Sequence, residues 1–127
     1  MNIAIAVAAA LSTLTLFAHI FGGYPEIMPS VLTSALSPYT KAIMLVIWQA
    51  ITIILIINSL GLAYGAIKPE QRQVLIVVIS AQYLLWGALF VYYGLTMLGS
   101  LWPMPQWIAF FLIPALAIFG LWQKRKA

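Results

Sequence analysis

His19 is the only histidine in this 127-residue sequence, and its side chain is the one best suited to proton or ligand chemistry. It follows Ser12 and Thr15 at helical spacing, so the three side chains share one stripe of an apolar segment. Glu26, one of two acidic residues, comes seven positions later. An imidazole near a carboxylate could respond to protons or bind a ligand. The alternative is an interhelical hydrogen bond in which His19 only fixes packing.

A second group of polar and aromatic side chains lies in later apolar segments. Trp48 and Gln49 are adjacent, and Tyr93 belongs to an aromatic belt at the outer end of a third segment. At ~1.5 Å per residue, His19 lies ~6 Å inside the outer end of its helix and Gln49 lies ~12 Å below the start of the next. The two can therefore meet in the outer half of the membrane. We expect a small outward-facing ligand-binding pocket formed by His19, Glu26, Trp48, Gln49 and Tyr93.

Composition excludes several other kinds of site. The chain has no cysteine, which removes thiolate metal sites, iron–sulfur clusters and a cysteine nucleophile. His19 and Glu26 are too few ligands for zinc, and bis-imidazole haem ligation would need a second chain. A nucleophile at Ser12 or Thr15 would lie one or two turns deeper than a His19 base and would lack a third, orienting group. We therefore expect no metal, no cofactor and no catalysis.

The elements that hold these side chains must be membrane helices. Apolar residues make up 65% of the chain and charged residues 6%, against roughly half and a quarter in soluble domains. Each crossing needs ~20 apolar residues, so the inventory is enough for four. Charged residues separate the crossings, and the segment 99–105, with one glycine and two prolines, turns the chain back. The sequence predicts a single all-α membrane domain of residues 1–127, a bundle of four helices at about 3–23, 41–65, 74–98 and 105–123.

The segment 24–40 is the one long connection, and it is too apolar for a plain solvated loop. Pro29, followed by apolar residues at helical spacing, predicts a short helix over 30–36 that Ser37 and Pro38 close. Such a helix could cap an outward-facing pocket. The alternative, which we expect, is an interfacial helix that lies among the lipid headgroups between the first and second crossings.

The basic residues predict the orientation, because Lys and Arg are retained on the cytoplasmic side more readily than they are translocated. Five of them fall on one side of the four crossings and one on the other: Lys68, Arg72, Lys124, Arg125 and Lys126 against Lys41. We expect both termini in the cytoplasm of a multi-pass protein of the plasma (inner) membrane. The net charge of +4 then favours anionic lipid headgroups, and not nucleic acid, as partners.

The remaining polar residues of the crossings should face other helices. Ser80 and Tyr83 lie on one stripe of the third predicted helix. Asn58 and Gln82 both lie in the inner half of the membrane and could bond to each other there. Interhelical bonds of this kind are worth ~0.6 kcal/mol each.

Four stretches of the chain carry a resemblance. They are residues 19–26 (HIFGGYPE), then Pro29, Leu32 and Ser34, then Trp48-Gln49 with Thr52, and residues 105–108 (PQWI). With these, nearly the whole chain resembles a group of small, uncharacterised four-helix proteins of the bacterial inner membrane. In that group a histidine commonly follows the tryptophan, and Gln49 takes that place here. The resemblance implies the four-helix architecture and a focus on the region of His19, Glu26 and Gln49, and it implies no known activity.

These observations predict a non-enzymatic integral membrane protein that acts as an accessory, assembly or ligand-sensing component. Its partners would be membrane lipids, together with a larger membrane protein or further copies of itself. The alternative is an oligomeric unit for small-solute or proton-coupled permeation, which would enclose His19, Glu26 and Gln49.

Overall fold

The computed structural model describes the backbone of residues 1–125 and the side chains of residues 1–123. Its elements are α1 (Ile3–Phe17), a π-helical turn (Ala18–Gly23), α2 (Tyr24–Thr33), α3 (Pro38–Ile67), α4 (Pro69–Leu98) and α5 (Gln106–Arg125). The described residues contain no strand. Four helical segments are long and apolar enough to cross a membrane: Ile3–Thr33, Pro38–Ile67, Pro69–Leu98 and Gln106–Gln123. The chain is all-helical, as predicted, and these segments indicate a multi-pass membrane protein.

Local sequence explains where the helices begin and end. The Asn2 side chain caps α1 by accepting a hydrogen bond from the amide of Ile5 at 3.2 Å. Ser37 caps α3 in the same way, accepting from the amide of Thr40 at 3.1 Å, and prolines occupy the first positions of α3 and α4. Gly99 ends α4 with a φ of 65°, a left-handed conformation that glycine adopts without strain. α3 begins at Pro38 and α4 at Pro69, earlier than the predicted starts at residues 41 and 74.

The first helical segment is longer than predicted. The sequence predicts that this crossing ends at residue 23 and that a separate short helix covers 30–36, but the helix continues from Ile3 to Thr33. The π-helical turn makes this continuation possible, as the amide of Tyr24 bonds to the carbonyl of His19 five residues earlier. A π turn widens the helix, which relieves the clash that Pro25 would otherwise make with the preceding turn. Pro29 consequently lies inside α2 and not at the start of a new helix.

The helices form a four-helix bundle. α1 packs against α3 and α5, and α4 packs against the same two helices, so α1 and α4 face each other across the bundle. The buried centre includes Ile5, Leu62, Ile76 and Ile113. The outer surface is apolar as well, and Leu60 and Leu85 are 65% and 67% exposed. An apolar exterior of this kind is what lipid tails solvate.

One end of the bundle is closed by polar contacts of Asn2. Its amide donates to the carbonyl oxygen of Ala66 at 2.8 Å, and its side-chain Nδ2 donates to the carbonyl oxygen of Gly120 at 2.7 Å. A Cβ atom at Gly120 would lie 2.6 Å from Ile5 Cγ1, so only glycine allows this approach. The start of the chain, the turn between α3 and α4 and the last part of α5 therefore meet at one end. We call this the basic end, because Lys68, Arg72 and residues 124–126 lie there or follow it in sequence.

Candidate functional site

The opposite end of the bundle holds a stacked pair of rings, from His19 in the π-helical turn and Trp48 in α3. The ring centroids are 4.3 Å apart and the planes differ by 11°. The ring of Tyr24 meets the same indole edge-on, with centroids 6.1 Å apart and planes at 74°. Trp48 is thus fixed on a face and an edge by two residues of the first helical segment.

Hydrogen bonds define the tautomer of His19. The Thr52 hydroxyl donates its one proton to the carbonyl oxygen of Trp48 at 3.0 Å. Its oxygen therefore accepts from His19 Nε2, which lies 3.1 Å away. Nε2 also lies 3.4 Å from the carbonyl oxygen of Trp48. In the neutral imidazole this arrangement puts the proton on Nε2 and leaves Nδ1 as an unused acceptor.

Gly23 lets the first segment approach this ring pair. A Cβ atom at Gly23 would lie 3.2 Å from Trp48 Cη2 and 3.3 Å from Cζ2, closer than side-chain carbons ordinarily pack. At the neighbouring Gly22 a Cβ atom would meet nothing within 4 Å. The two adjacent glycines therefore differ: the contact with the indole requires a glycine at position 23, and no contact requires one at position 22.

Beside the ring pair lies a pocket of about 230 Å³ at the surface of the bundle. It is lined by Ile20, Tyr24, Trp48, Gln49 and Thr52. Its walls are aromatic and aliphatic, and its polar groups are one amide and two hydroxyls. Such a combination can hold a small amphipathic molecule and orient its polar head by hydrogen bonds.

Of the five residues predicted for the site, Trp48 and Gln49 line this pocket. His19 does not line it but contacts Trp48 and Thr52, which do. His19 therefore contacts the pocket wall from behind and does not face the pocket itself. His19 and Gln49 form no hydrogen bond with each other. His19 instead stacks on Trp48, the residue that precedes Gln49.

The structure places Glu26 and Tyr93 away from this pocket. Glu26 is exposed on α2 and forms no hydrogen bond or ion pair with the other described residues, so it does not pair with His19 as an imidazole–carboxylate site would require. The π turn is the reason: it inserts one residue into the helical repeat and rotates the later residues by roughly 100°, which takes Glu26 off the face of His19. Tyr93 is exposed on α4, where its ring packs against Tyr92 at 5.1 Å.

A cluster of hydroxyl groups lies at the centre of the bundle. Ser12 Oγ is 2.7 Å from Ser59 Oγ and 2.6 Å from the Tyr83 hydroxyl, so the cluster joins α1, α3 and α4. All three side chains are buried. The sequence signal was present in the hydroxyl-bearing stripes of the first and third predicted helices, but helical periodicity alone does not say which stripes meet. Ser12 is therefore engaged by Ser59 and Tyr83 and is not paired with His19.

The predicted bond between Asn58 and Gln82 is confirmed. Asn58 Nδ2 donates to Gln82 Oε1 at 3.3 Å, between α3 and α4. No group of three His, Asp or Glu side chains that could hold a metal ion occurs in the part of the chain that the structure describes. The Asn58–Gln82 bond and the Ser12 cluster thus link α3 with α4 and α1 through polar side chains.

The fold and the site together define an all-helical membrane protein with four candidate spans and a small, mainly apolar pocket beside Trp48. Comparisons with protein-family models, with curated proteins and with solved structures found no match. The functional argument therefore depends on the pocket itself.

Proposed function

We propose that this chain is an integral membrane protein with an accessory, assembly or ligand-sensing role, and that its ligand site is the pocket beside Trp48. The observation that supports this most directly is the preformed wall. The Trp48 ring is fixed by the His19 stack, by the Tyr24 edge and by the close approach of Gly23. A wall that is already ordered loses little entropy when a ligand binds.

The pocket chemistry suggests the class of ligand. Gln49 can both donate and accept, while Ile20 and Trp48 supply apolar contact area. A small amphipathic molecule with a carbonyl- or hydroxyl-bearing head, such as a quinone or a lipid, satisfies both kinds of group. Catalysis has no part in this proposal, which needs only binding and orientation.

The proposed orientation places this pocket toward the outer side of a bacterial plasma (inner) membrane, with both termini in the cytoplasm. Lys68 and Arg72 lie at the opposite, basic end, in agreement with the retention of Lys and Arg on the cytoplasmic side. The side chains of Lys124, Arg125 and Lys126, which complete the five predicted cytoplasmic basic residues, lie outside the described part of the structure. The contacts of Asn2 with Ala66 and Gly120 support the same arrangement, since they keep the chain start beside the α3–α4 turn and the end of α5. The resemblance to small four-helix proteins of the bacterial inner membrane is consistent with this proposed location.

The test compares the two adjacent glycines. Wild-type protein, Gly23→Ala and Gly22→Ala are purified in lipid nanodiscs, and the small molecules bound to each are identified and quantified by mass spectrometry. Because an added methyl at Gly23 pushes on the Trp48 ring and overpacking costs about 1–3 kcal/mol, we expect affinity to fall by roughly tenfold. Gly22→Ala should bind as the wild type does. Wild-type protein that carries no molecule beyond those in empty nanodiscs, or equal losses in both variants, would contradict the proposal.

The permeation alternative makes a different prediction. The centre of one bundle is filled by buried residues such as Leu55, Tyr83 and Ile113, so a path would have to form between copies of the chain. If His19→Ala and Glu26→Gln abolish solute flux in reconstituted vesicles while stability and co-purifying proteins stay unchanged, the accessory role is wrong. If flux is absent in the wild type and a larger membrane protein co-purifies in mild detergent, the accessory role is supported.

A further inference from the structure

A groove of about 410 Å³ lies at the basic end of the bundle, between α4 and α5. Arg72, Gln73 and Trp122 line it toward the chain termini, and Val77, Ile118 and Leu121 contribute apolar lining. At ~1.5 Å per residue, Val77 lies about 7 Å along α4 from Arg72, and Ile118 lies about 6 Å along α5 from Trp122. The groove is therefore polar toward the basic end and apolar toward the middle of the bundle.

Arg72 is unusual because it is a buried cation. Its side chain is 5% exposed. Nε donates to the carbonyl oxygen of Gly65 at 2.6 Å, and Nη2 donates to the carbonyl oxygen of Ala66 at 3.0 Å. These carbonyls belong to the last turn of α3, where the helix dipole favours a positive charge. The guanidinium thus joins the end of α3 to the start of α4.

Arg72 has two backbone partners and no counterion among the described residues. No carboxylate among the described residues forms an ion pair with it, and Glu70, two positions earlier, is exposed. A guanidinium has five N–H donors, and the two bonds use two of them. A buried charge is costly unless an opposite charge accompanies it, and Arg72 lines the groove where such a charge can enter.

The surrounding charges favour an anion as the occupant. The sequence supplies Lys68, Arg72 and residues 124–126 at or beyond this end, against a single carboxylate, Glu70. A free inorganic anion would use only the polar part of the groove. A phospholipid would use both parts, because its phosphate can reach the guanidinium while an acyl chain covers the apolar lining.

We propose that this groove binds an anionic phospholipid, with its phosphate at Arg72 and an acyl chain over Val77, Ile118 and Leu121. The site lies at the other end of the bundle from the pocket beside Trp48 and does not depend on the function proposed for that pocket. The bound phosphate would neutralise the buried guanidinium and stabilise the junction between α3 and α4.

Native mass spectrometry of the detergent-solubilised full chain tests this proposal. The probes are phosphatidylglycerol and phosphatidylcholine with identical acyl chains, and the fraction of protein that retains each lipid is measured. Arg72→Gln removes the proposed phosphate ligand, and Lys41→Gln, which removes one positive charge from the other end, is the matched control. We expect Arg72→Gln to lose about fivefold in phosphatidylglycerol retention, the change that one basic group near the surface provides, and Lys41→Gln to lose none.

A second variant keeps the test informative if Arg72→Gln does not fold. Val77→Trp fills the apolar part of the groove from a position that is 56% exposed and leaves the bonds of Arg72 to the α3 carbonyls in place. It should also lower phosphatidylglycerol retention. Equal retention of both lipids by the wild type, or unchanged retention in Val77→Trp, would overturn the proposal. Displacement of the lipid by millimolar inorganic phosphate would overturn it too, because it would show that the groove takes a free anion and not the whole lipid.

Discussion

The Ser12 hydroxyl is the junction of the central cluster, and its removal tests how the bundle is held together. Ser12→Ala deletes both of its bonds, to Ser59 at 2.7 Å and to Tyr83 at 2.6 Å. Ser80 offers a matched control on the facing helix. It is equally buried, at 2% exposed, but its Oγ has no hydrogen-bond partner among the described residues. The two substitutions remove the same atom from similar surroundings and differ in the bonds that are lost.

The expected effects differ in sign. Interhelical hydrogen bonds in membranes are worth ~0.6 kcal/mol each, so Ser12→Ala should lower the free energy of unfolding by about 1.2 kcal/mol. Tyr83→Phe deletes the bond to Ser12 and keeps the bond between Ser12 and Ser59, so it should cost ~0.6 kcal/mol. Ser80→Ala removes an unpaired buried hydroxyl, whose desolvation opposes folding, and should leave stability unchanged or raise it by up to about 1 kcal/mol.

Reversible unfolding in mixed lipid–detergent micelles, measured by steric trapping, resolves differences of this size. The double variant of Ser12→Ala with Tyr83→Phe measures the coupling energy between the two residues. Because both substitutions remove the same Ser12–Tyr83 bond, their effects on stability should not be additive. If Ser12→Ala and Ser80→Ala have the same effect, the hydroxyl bonds contribute nothing, and these serines act only as small residues that let helices approach. That result would refute the role assigned to the cluster.

Two further predictions concern the closed end and the orientation. Gly120→Ala should destabilise the protein by about 1–3 kcal/mol in the same unfolding assay, because the added Cβ would lie 2.6 Å from Ile5 Cγ1. The control is Gly22→Ala, whose added Cβ meets nothing within 4 Å and should leave stability unchanged. Equal stabilities of the two variants would contradict the close packing of α1 on α5. The chain has no cysteine, so single-cysteine variants give a clean measure of orientation. In intact cells a membrane-impermeant maleimide should label Ser37→Cys and leave Lys68→Cys unlabelled until the cells are opened, and the reverse pattern would invert the proposed topology.

The number and approximate place of the crossings could be predicted from the sequence because they depend on length and charge alone. An uncharged block of ~20 residues fits one crossing, and the block from residue 73 to 123 is too long for a single helix. The turn at 99–105 could be predicted from the glycine and prolines there. This arithmetic needs no knowledge of how the helices contact each other.

The continuation of the first helical segment could not be predicted in the same way. Gly22, Gly23 and Pro25 disfavour an α-helix, and the rules that identify them as breakers assume α-helical geometry. The π turn changes that geometry and accommodates all three. The missing contact between Glu26 and His19 has the same origin, because an inserted residue changes the face on which every later residue of the helix lies.

The sequence predicted how deep the site residues lie in the membrane, but it did not predict which helix faces they occupy. Rise per residue places His19 and Gln49 in the same half of the membrane, but it does not say which faces of the two helices meet. In the structure Trp48 and Thr52 contact the imidazole, and Gln49 lies at the pocket surface. The same limit applies to Arg72. Counting charges in the sequence treats it as an exposed residue that sets the orientation, but in the structure it is buried against the end of α3.

The two ends of this bundle combine a cavity with polar groups that have unused hydrogen-bonding capacity, and the described central cluster does not. At the centre, Ser12 is fully engaged with its neighbours, and a ligand there would have to break bonds that stabilise the fold. Near the π turn, the Gln49 amide lines a pocket without a hydrogen bond to any described side chain, and His19 Nδ1 remains an acceptor. At the basic end, Arg72 donates to two uncharged carbonyls and has no carboxylate partner among the described residues. Binding at either end would complete bonds that the chain leaves open, and this is why we place the two ligand sites there and a purely structural role at the centre.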